Sequence, residues 1–373
     1  MGTLLIKNGN IVTATDHFIG YIFIKDEKIQ AIVNSDLSSD LTSNGQRIDE
    51  KVDKVIDANW NYVFPGGIDP HTHLDLPFMG TSSSDDFESG TIAALHGGTT
   101  SIIDFAIQSQ GQSLNSAFNQ WMEKAQGKAG ADYGFHLAVT DFNDQTRSEI
   151  RDLIKLQGVS SFKTFMAYKG ALMIDDSQII ELFNEVALWG GLVTTHAENG
   201  DLIDSLVRKA MANKQTAPLY HALTRPDIAE SEATGRFLDL AYSGRHPAYI
   251  VHMSAESALD RVRLATLRNQ KVFVETCVQY LLLDASLYDS KGFEGAKWVM
   301  SPPLRTKKDQ LALWNGINQN LVQVVATDHC PFCLDQKKMG EHDFSKIPNG
   351  IPGIEHRMEL LFSEGVVENR ISL

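Results

Sequence analysis

Cysteine is scarce: the 373-residue sequence holds only Cys277, Cys330 and Cys333. An odd few thiols in so long a chain point to a reducing compartment, and the protein is read as cytoplasmic. Cys330 and Cys333 form a CPFC motif. With no second pair to complete four ligands it excludes a zinc ribbon, which leaves redox chemistry or plain packing. Positive charge is also short, 33 Lys and Arg against 47 Asp and Glu, for a formal net charge of −14. That balance argues against nucleic acid or an anionic membrane as partner and favours small neutral or cationic ligands. No apolar run reaches the roughly 18 residues that span a bilayer. The start, MGTLLIKNGNIVTATD, has no basic stretch followed by a long apolar one, so no secretory leader is expected. Ile6 breaks the myristoylation pattern. Low-complexity segments and internal repeats are absent too.

What is present suits a sizeable core: 43% hydrophobic and 21% charged residues. The first sixty residues alternate as strands do, in LLIKNGNIVT, YIFIKDEKIQAIV, KVIDAN and YVFPG. They predict a small antiparallel sheet. Pro65-Gly66-Gly67 then marks a change of texture. Eight short β-branched runs follow: GGIDPHTH, TTSIIDF, ADYGFHLAVT, VSSFKTFMAY, LVTTHAEN, PAYIVHMS, KVFVETCVQY and LVQVVATDHC. Between them lie helical periodicities such as DDSQIIELFNEVALWGG, where Ile179, Leu182, Phe183 and Val186 share a face. SEIRDLIKLQG is another, with Gly158 placed as its C-terminal cap. Strands alternating with helices eight times predict an α/β fold, a (β/α)8 barrel. We place a small N-terminal β-sandwich part at residues 1–64 and the barrel at 65–373. Residues 281 to 320 read as irregular active-site loops.

In such a barrel the chemistry sits where the strands end. The first run ends in His71 and His73, the fourth carries Lys163, the fifth ends in His196, the sixth in His252 and the eighth in Asp328. Residues i and i+2 of a strand point the same way, so His71 and His73 can share a cation. Singly, each has a plain structural role: a strand histidine is often a hydrogen-bonded core residue, Asp328 could cap a turn, and Lys163 could reach outward. All six at one end of predicted strands predict a metal site. A protonated Lys163 would repel a divalent ion, and two such ions need more negative charge than Asp328 supplies. Carbamylation of Lys163 by CO2 creates an anionic bridge, and two metals so bridged generate hydroxide at neutral pH. Imidazole and carboxylate suit zinc, with manganese and iron also compatible.

GGIDPHTHLDLPFMGT, DDFESGTIAALHGGTTSIIDF, FKTFMAYKG, TTHAENG, VHMSA, MSPPLR, ATDHCPF and NGIPGIEHRMELLFSEGV resemble, in order and spacing, the dihydropyrimidinase and D-hydantoinase branch of the cyclic amidohydrolases. The likeness covers essentially the whole chain. FMAYKG after Lys163 discriminates most, and Leu74-Asp75-Leu76-Pro77 stands where dihydroorotases carry an arginine. The resemblance implies a (β/α)8 barrel that opens cyclic amides and imides (5,6-dihydropyrimidines, 5-substituted hydantoins) to N-carbamoyl amino acids. It implies His71, His73, carboxylated Lys163, His196, His252 and Asp328 as ligands of two zinc ions. Asp328 would shuttle a proton and Tyr168 would polarise the ring carbonyl. The main chains of Ser301 and Asn349 would bind the ring, and Phe78, Phe165 and Leu74 would gate its substituent. A homo-oligomer, a tetramer, is implied as well. His136 is read as structural and His329 as packing against a helix. Members of the branch continue past ENRISL, so the resemblance implies a small domain left incomplete. Alternatives are an allantoinase-like hydrolase, or a non-catalytic scaffold like the collapsin response mediator proteins. Those scaffolds have lost metal ligands, whereas all six positions stand here.

Overall fold

The computed structural model describes residues 2–35 and 52–373, so part of the expected N-terminal sheet segment, residues 36–51, lies outside the described residues. The chain divides into two units, Met1–Gly66 and Gly67–Leu373.

In the first unit, β1 (Thr3–Val12), β2 (His17–Lys25) and β3 (Lys28–Asn34) form an antiparallel meander. The run YIFIKDEKIQAIV folds back on itself at Asp26-Glu27. Both residues take left-handed φ, 50° and 65°, the twist a two-residue hairpin turn needs even without glycine. Purely antiparallel pairing was expected, but β4 (Lys54–Asp57) and β5 (Tyr62–Val63) run parallel to β1. The long connection after β3 lets the chain return in the same direction as β1, which alternation cannot reveal.

The second unit is a parallel barrel of eight strands: β6 (Gly67–Thr72), β9 (Thr99–Ile107), β10 (Asp132–Ala138), β11 (Ser161–Phe165), β12 (Leu192–His196), β13 (Ala248–Ile250), β14 (Val272–Cys277) and β15 (Val324–Ala326). Two short strands, β7 (Pro77–Phe78) and β8 (Thr81–Ser82), form a hairpin after the first barrel strand. All eight expected runs hold a strand. The last strand meets the first through a parallel bridge between Thr72 and His329, where the His73 amide donates to the His329 carbonyl at 2.9 Å. Asp69 reinforces the seam. Its buried carboxylate accepts the Thr327 hydroxyl at 2.6 Å and the Thr327 and His71 amides at 3.2 Å.

The helices α1 (Phe87–His96), α2 (Leu114–Ala125), α3 (Asp144–Gln157), α4 (Asp176–Leu188), α5 (Gly200–Ala212), α6 (Leu219–Leu223), α7 (Asp227–Ser243), α8 (Glu256–Leu267), α9 (Val278–Leu282) and α10 (Lys307–Asn318) follow or surround the strands. Two short pieces, α11 (Leu334–Lys337) and α12 (Arg357–Leu360), come after the last strand. The apolar face expected of α4 is real: Ile179, Leu182, Phe183 and Val186 are all buried. Gly158 caps α3 with φ 74°, a conformation glycine adopts without a Cβ penalty. The expectation that residues 281 to 320 are irregular needs correction, because α10 occupies part of them. Thr306 and Asp309 form a reciprocal capping box at its start, a signal readable in the sequence.

Among the described residues, no helix is long and apolar enough to cross a membrane.

Candidate active site

The six expected ligands meet at one end of the barrel. His71 lies on β6 with His73 just beyond it, Lys163 lies within β11, and His196 ends β12. His252 and Asp328 each stand two residues past a strand, with left-handed φ of 38° and 52°. Backbone bends of this kind at non-glycine residues are costly and cluster where a side chain must be aimed. His71, His73, Lys163, His196 and His252 are buried, and the Asp328 side chain is 14% exposed.

Their donor atoms converge. The Asp328 Oδ1 atom lies 3.1 Å from both His71 Nε2 and His73 Nε2, and Lys163 Nζ lies 3.2 Å from His71 Nε2. On the other side His196 Nδ1 is 2.9 Å from His252 Nε2. Of these, His71, His252 and Asp328 can all reach one ion.

Two buried carboxylates set which imidazole nitrogens face inward. Glu275 accepts from His71 Nδ1 at 2.6 Å, and Glu198 sits 2.8 Å from His196 Nε2. Each holds its ring so that the opposite nitrogen presents a lone pair to the centre, the usual outer-shell arrangement behind a metal-ligating histidine. Lone pairs aimed at the Asp328 carboxylate, or at one another, require a proton or a cation between them. In addition, His73 Nδ1 and His252 Nδ1 have no hydrogen-bond partner among the described residues. The residues present therefore fit a divalent metal site.

The charges follow from burial. Burial pushes Lys163 down to about 8, opposed by Asp328 and Glu275, so its amine loses a proton more readily than a free lysine. Burial likewise pushes His73 down to about 4. Burial would raise Asp328, but His71 and His73 outweigh it and hold the carboxylate well below its usual range. Glu198 behaves alike: Arg225, 2.6 Å away, and His196 overcome burial and drive it down to about 2.

The cavity over this cluster is also walled by Tyr168, Ser301, Asn349, Phe78 and Phe165. Tyr168 takes φ 64° and stands 5.3 Å from the His196 ring, with Phe78 and Phe165 both 6.1 Å from it in edge contacts. Burial raises its hydroxyl, and Ser301 and Asn349 pull the other way. Asn349 Nδ2 donates to Ser301 Oγ at 3.2 Å, joining the two loops. Leu74, expected beside the gate, is instead fully buried and packs where a Cβ on Gly90 would strike it. Leu76 lines the cavity in its place.

His136 lies outside the cluster, its Nε2 at 2.9 Å from the Pro70 carbonyl and its Nδ1 against Ser161. His329 is buried, with Nε2 2.9 Å from Asp85 and Nδ1 accepting the Gly353 and Ile354 amides. The cysteines are free thiols, with Cys277 and Cys330 buried and Cys333 exposed.

Sequence reasoning missed four acids behind the cluster: Glu275, Glu198, Asp69 and Asp104. Asp104 accepts from Thr72 Oγ1 and the Leu74 amide at 2.8 Å and from Trp121 at 3.1 Å, and burial raises it to about 7. For Glu275 and Asp104 the signal was a lone carboxylate inside an apolar strand run, VFVETC and SIIDF, whereas Glu198, past the end of β12, carried none.

A parallel eight-stranded barrel with a buried histidine and aspartate cluster at its strand ends defines a barrel enzyme able to hold metal. The sequence model of the amidohydrolase family matches residues 62–358, and the chain belongs to that family. It is 48% identical over 372 residues to a D-hydantoinase of Geobacillus stearothermophilus, covering 100% of this chain and 76% of that one. It is 38% identical over 374 residues to a dihydropyrimidinase of Dictyostelium discoideum, covering 100% and 72%. The structure of a dihydropyrimidinase from Brevibacillus agri superposes with a TM-score of 0.94 at 48% identity, covering 100% of this chain and 78% of that one.

Proposed function

We propose that this cyclic amidohydrolase opens 5,6-dihydropyrimidines and 5-substituted hydantoins to N-carbamoyl amino acids. The observation that carries the reading is the convergence of the His71, His73, His196, His252 and Asp328 donor atoms, with two rings oriented by Glu275 and Glu198, in a cavity that Tyr168 also lines, 5.3 Å from the His196 ring.

His71, His73, Lys163, His196, His252 and Asp328 would hold two divalent ions, zinc by the nature of the donors, with Lys163 as an N6-carboxylated bridge. The burial that lowers Lys163 to about 8 makes its neutral amine available to add to CO2, which releases a proton. Bound metal supplies an activated water at neutral pH and draws electron density from the ring carbonyl. Asp328, ionised in this setting, takes the proton of the attacking water and passes it to the departing ring nitrogen. Tyr168 donates its hydroxyl to the carbonyl oxygen as negative charge develops there. The main chains of Ser301 and Asn349 hydrogen-bond the amide edge and orient the ring. Phe78 and Phe165 present apolar surface to its substituent. Cytoplasmic residence, from the odd few cysteines, and a homotetramer, on resemblance to the branch, complete the reading.

The test is a substrate panel on metal-loaded protein: dihydrouracil, a 5-substituted hydantoin and allantoin, with ring opening followed by absorbance. We expect turnover of the first two, abolished by chelation and restored by zinc. Turnover of allantoin alone would reassign the substrate, and turnover of none would remove the proposal.

A further inference from the structure

Behind the cavity stands a buried cation that the mechanism above does not use. Lys337, the last residue of α11, is 2% exposed. Its ammonium donates to three backbone carbonyls: Val299 at 3.0 Å, Pro348 at 3.0 Å and Gly350 at 2.9 Å. Burial pushes this lysine down to about 7. Three carbonyls, none able to donate, nevertheless match the three N–H bonds of the protonated group and leave no place for the lone pair of a neutral amine.

The three acceptors are not scattered. Pro348 and Gly350 flank Asn349, and Val299 stands two residues before Ser301. The Gly350 amide donates to the same Val299 carbonyl at 3.0 Å, so the two loops are stitched together where the ammonium grips them. The neighbouring residue, Gln336, reaches the other wall of the cavity. Its Nε2 donates to Thr81 Oγ1 at 2.8 Å and the Ser82 carbonyl at 2.7 Å, and its Oε1 accepts from Ser84 Oγ at 2.7 Å. Thr81 and Ser82 form the strand paired with Pro77 and Phe78. Two consecutive side chains on one short turn thus tie down three segments that line the cavity, and both exhaust their donors in doing so.

We propose that Gln336 and Lys337 form a positioning clasp for the cyclic substrate. Lys337 fixes the Ser301 and Asn349 main chain that receives the ring, and Gln336 fixes the hairpin that carries Phe78 against the ring substituent. The assignment rests on the substrate reading given above, and deepens it. Removing the ammonium leaves three buried carbonyls with fewer partners, so both loops gain freedom and the amide edge of the ring is held less well. Neither residue reaches the reacting carbonyl, so the loss falls on binding more than on the chemical step.

The test uses the full chain, metal-loaded, as Lys337→Met and Gln336→Leu. For Lys337→Met we expect KM to rise about tenfold or more for both dihydrouracil and a 5-substituted hydantoin, with kcat within about threefold. Amide hydrogen exchange at residues 299–301 and 349–350 should quicken about tenfold or more, while β11 and β12 keep their protection. For Gln336→Leu, KM should rise for the substituted hydantoin and stay level for dihydrouracil. Gln336 is only partly buried, so this variant keeps half of the clasp testable should Lys337→Met fail to fold. Unchanged exchange in those loops, or a fall in kcat at constant KM, would overturn the clasp. Wild-type protein inactive on both substrates would instead overturn the substrate reading, and the exchange measurement would still decide whether the pair holds the loops.

Discussion

Tyr168 shows how much one residue depends on its setting. In the sequence it is one of nine tyrosines. In the fold it is bent into left-handed backbone, set over His196, and flanked by the Arg225 guanidinium at 5.4 Å. In the proposed mechanism Tyr168→Phe removes one donor to the developing oxyanion and leaves every proposed ligand atom in place. We expect kcat to fall about 10²- to 10³-fold with metal content per chain unchanged, measured by turnover and elemental analysis on the same sample. Constant turnover would remove Tyr168 from the mechanism. The candidate histidines and Asp328 were legible because each stands at or just past the end of a recognisable strand, and Lys163 because it lies within one. Glu275 and Glu198 were not, since a buried acid is informative only when its partners, His71 and His196, are known to face it.

Among the elements, the strands were legible and their closure was not. Eight β-branched runs between helical periodicities specify a parallel sheet, but nothing local says that β15 returns to β6. Asp69 and Thr327, 258 residues apart in sequence, make that seam. Replacing Thr327 by Val leaves the buried Asp69 carboxylate without its 2.6 Å donor. We expect a loss of about 1–3 kcal/mol, seen as a lower urea midpoint at unchanged slope. An unshifted midpoint would mean the seam is held by backbone pairing alone. The N-terminal sheet makes the complementary point: alternation located its strands, while the parallel pairing of β4 and β5 to β1 depends on how the chain returns.

For the molecule as a whole, buried charge governs the response to pH. Glu198 sits at about 2 in the folded protein against an ordinary 4.5. The unfolded chain therefore binds a proton first as pH falls. The stability Glu198 contributes is fully present above about 4.5 and is lost as pH drops toward 2. Glu198→Gln should be less stable than wild type at pH 6, and the gap in urea midpoint should narrow by pH 3. A gap that stays constant over that range would show that Glu198 is not the group being titrated.

The amino-acid order by itself determined the strand and helix periods, the barrel they imply, and the residue types waiting at the strand ends. The periods are properties of neighbours two positions apart in strands and three or four apart in helices, which hydrophobic spacing encodes directly. Tertiary structure alone decided the closure at Asp69 and Thr327, the orientation of the imidazoles by Glu275 and Glu198, and the grip of Lys337 on two loops. Asp69 and Thr327, Glu275 and His71, and Lys337 and Val299 are far apart in sequence, while Glu198 and His196 are two residues apart; all of these contacts draw their strength from burial, which exists only once the barrel has formed. His71 and His73 were visible as a pair from the start. What they face was settled by the strands that bring Lys163, His252 and Asp328 against them.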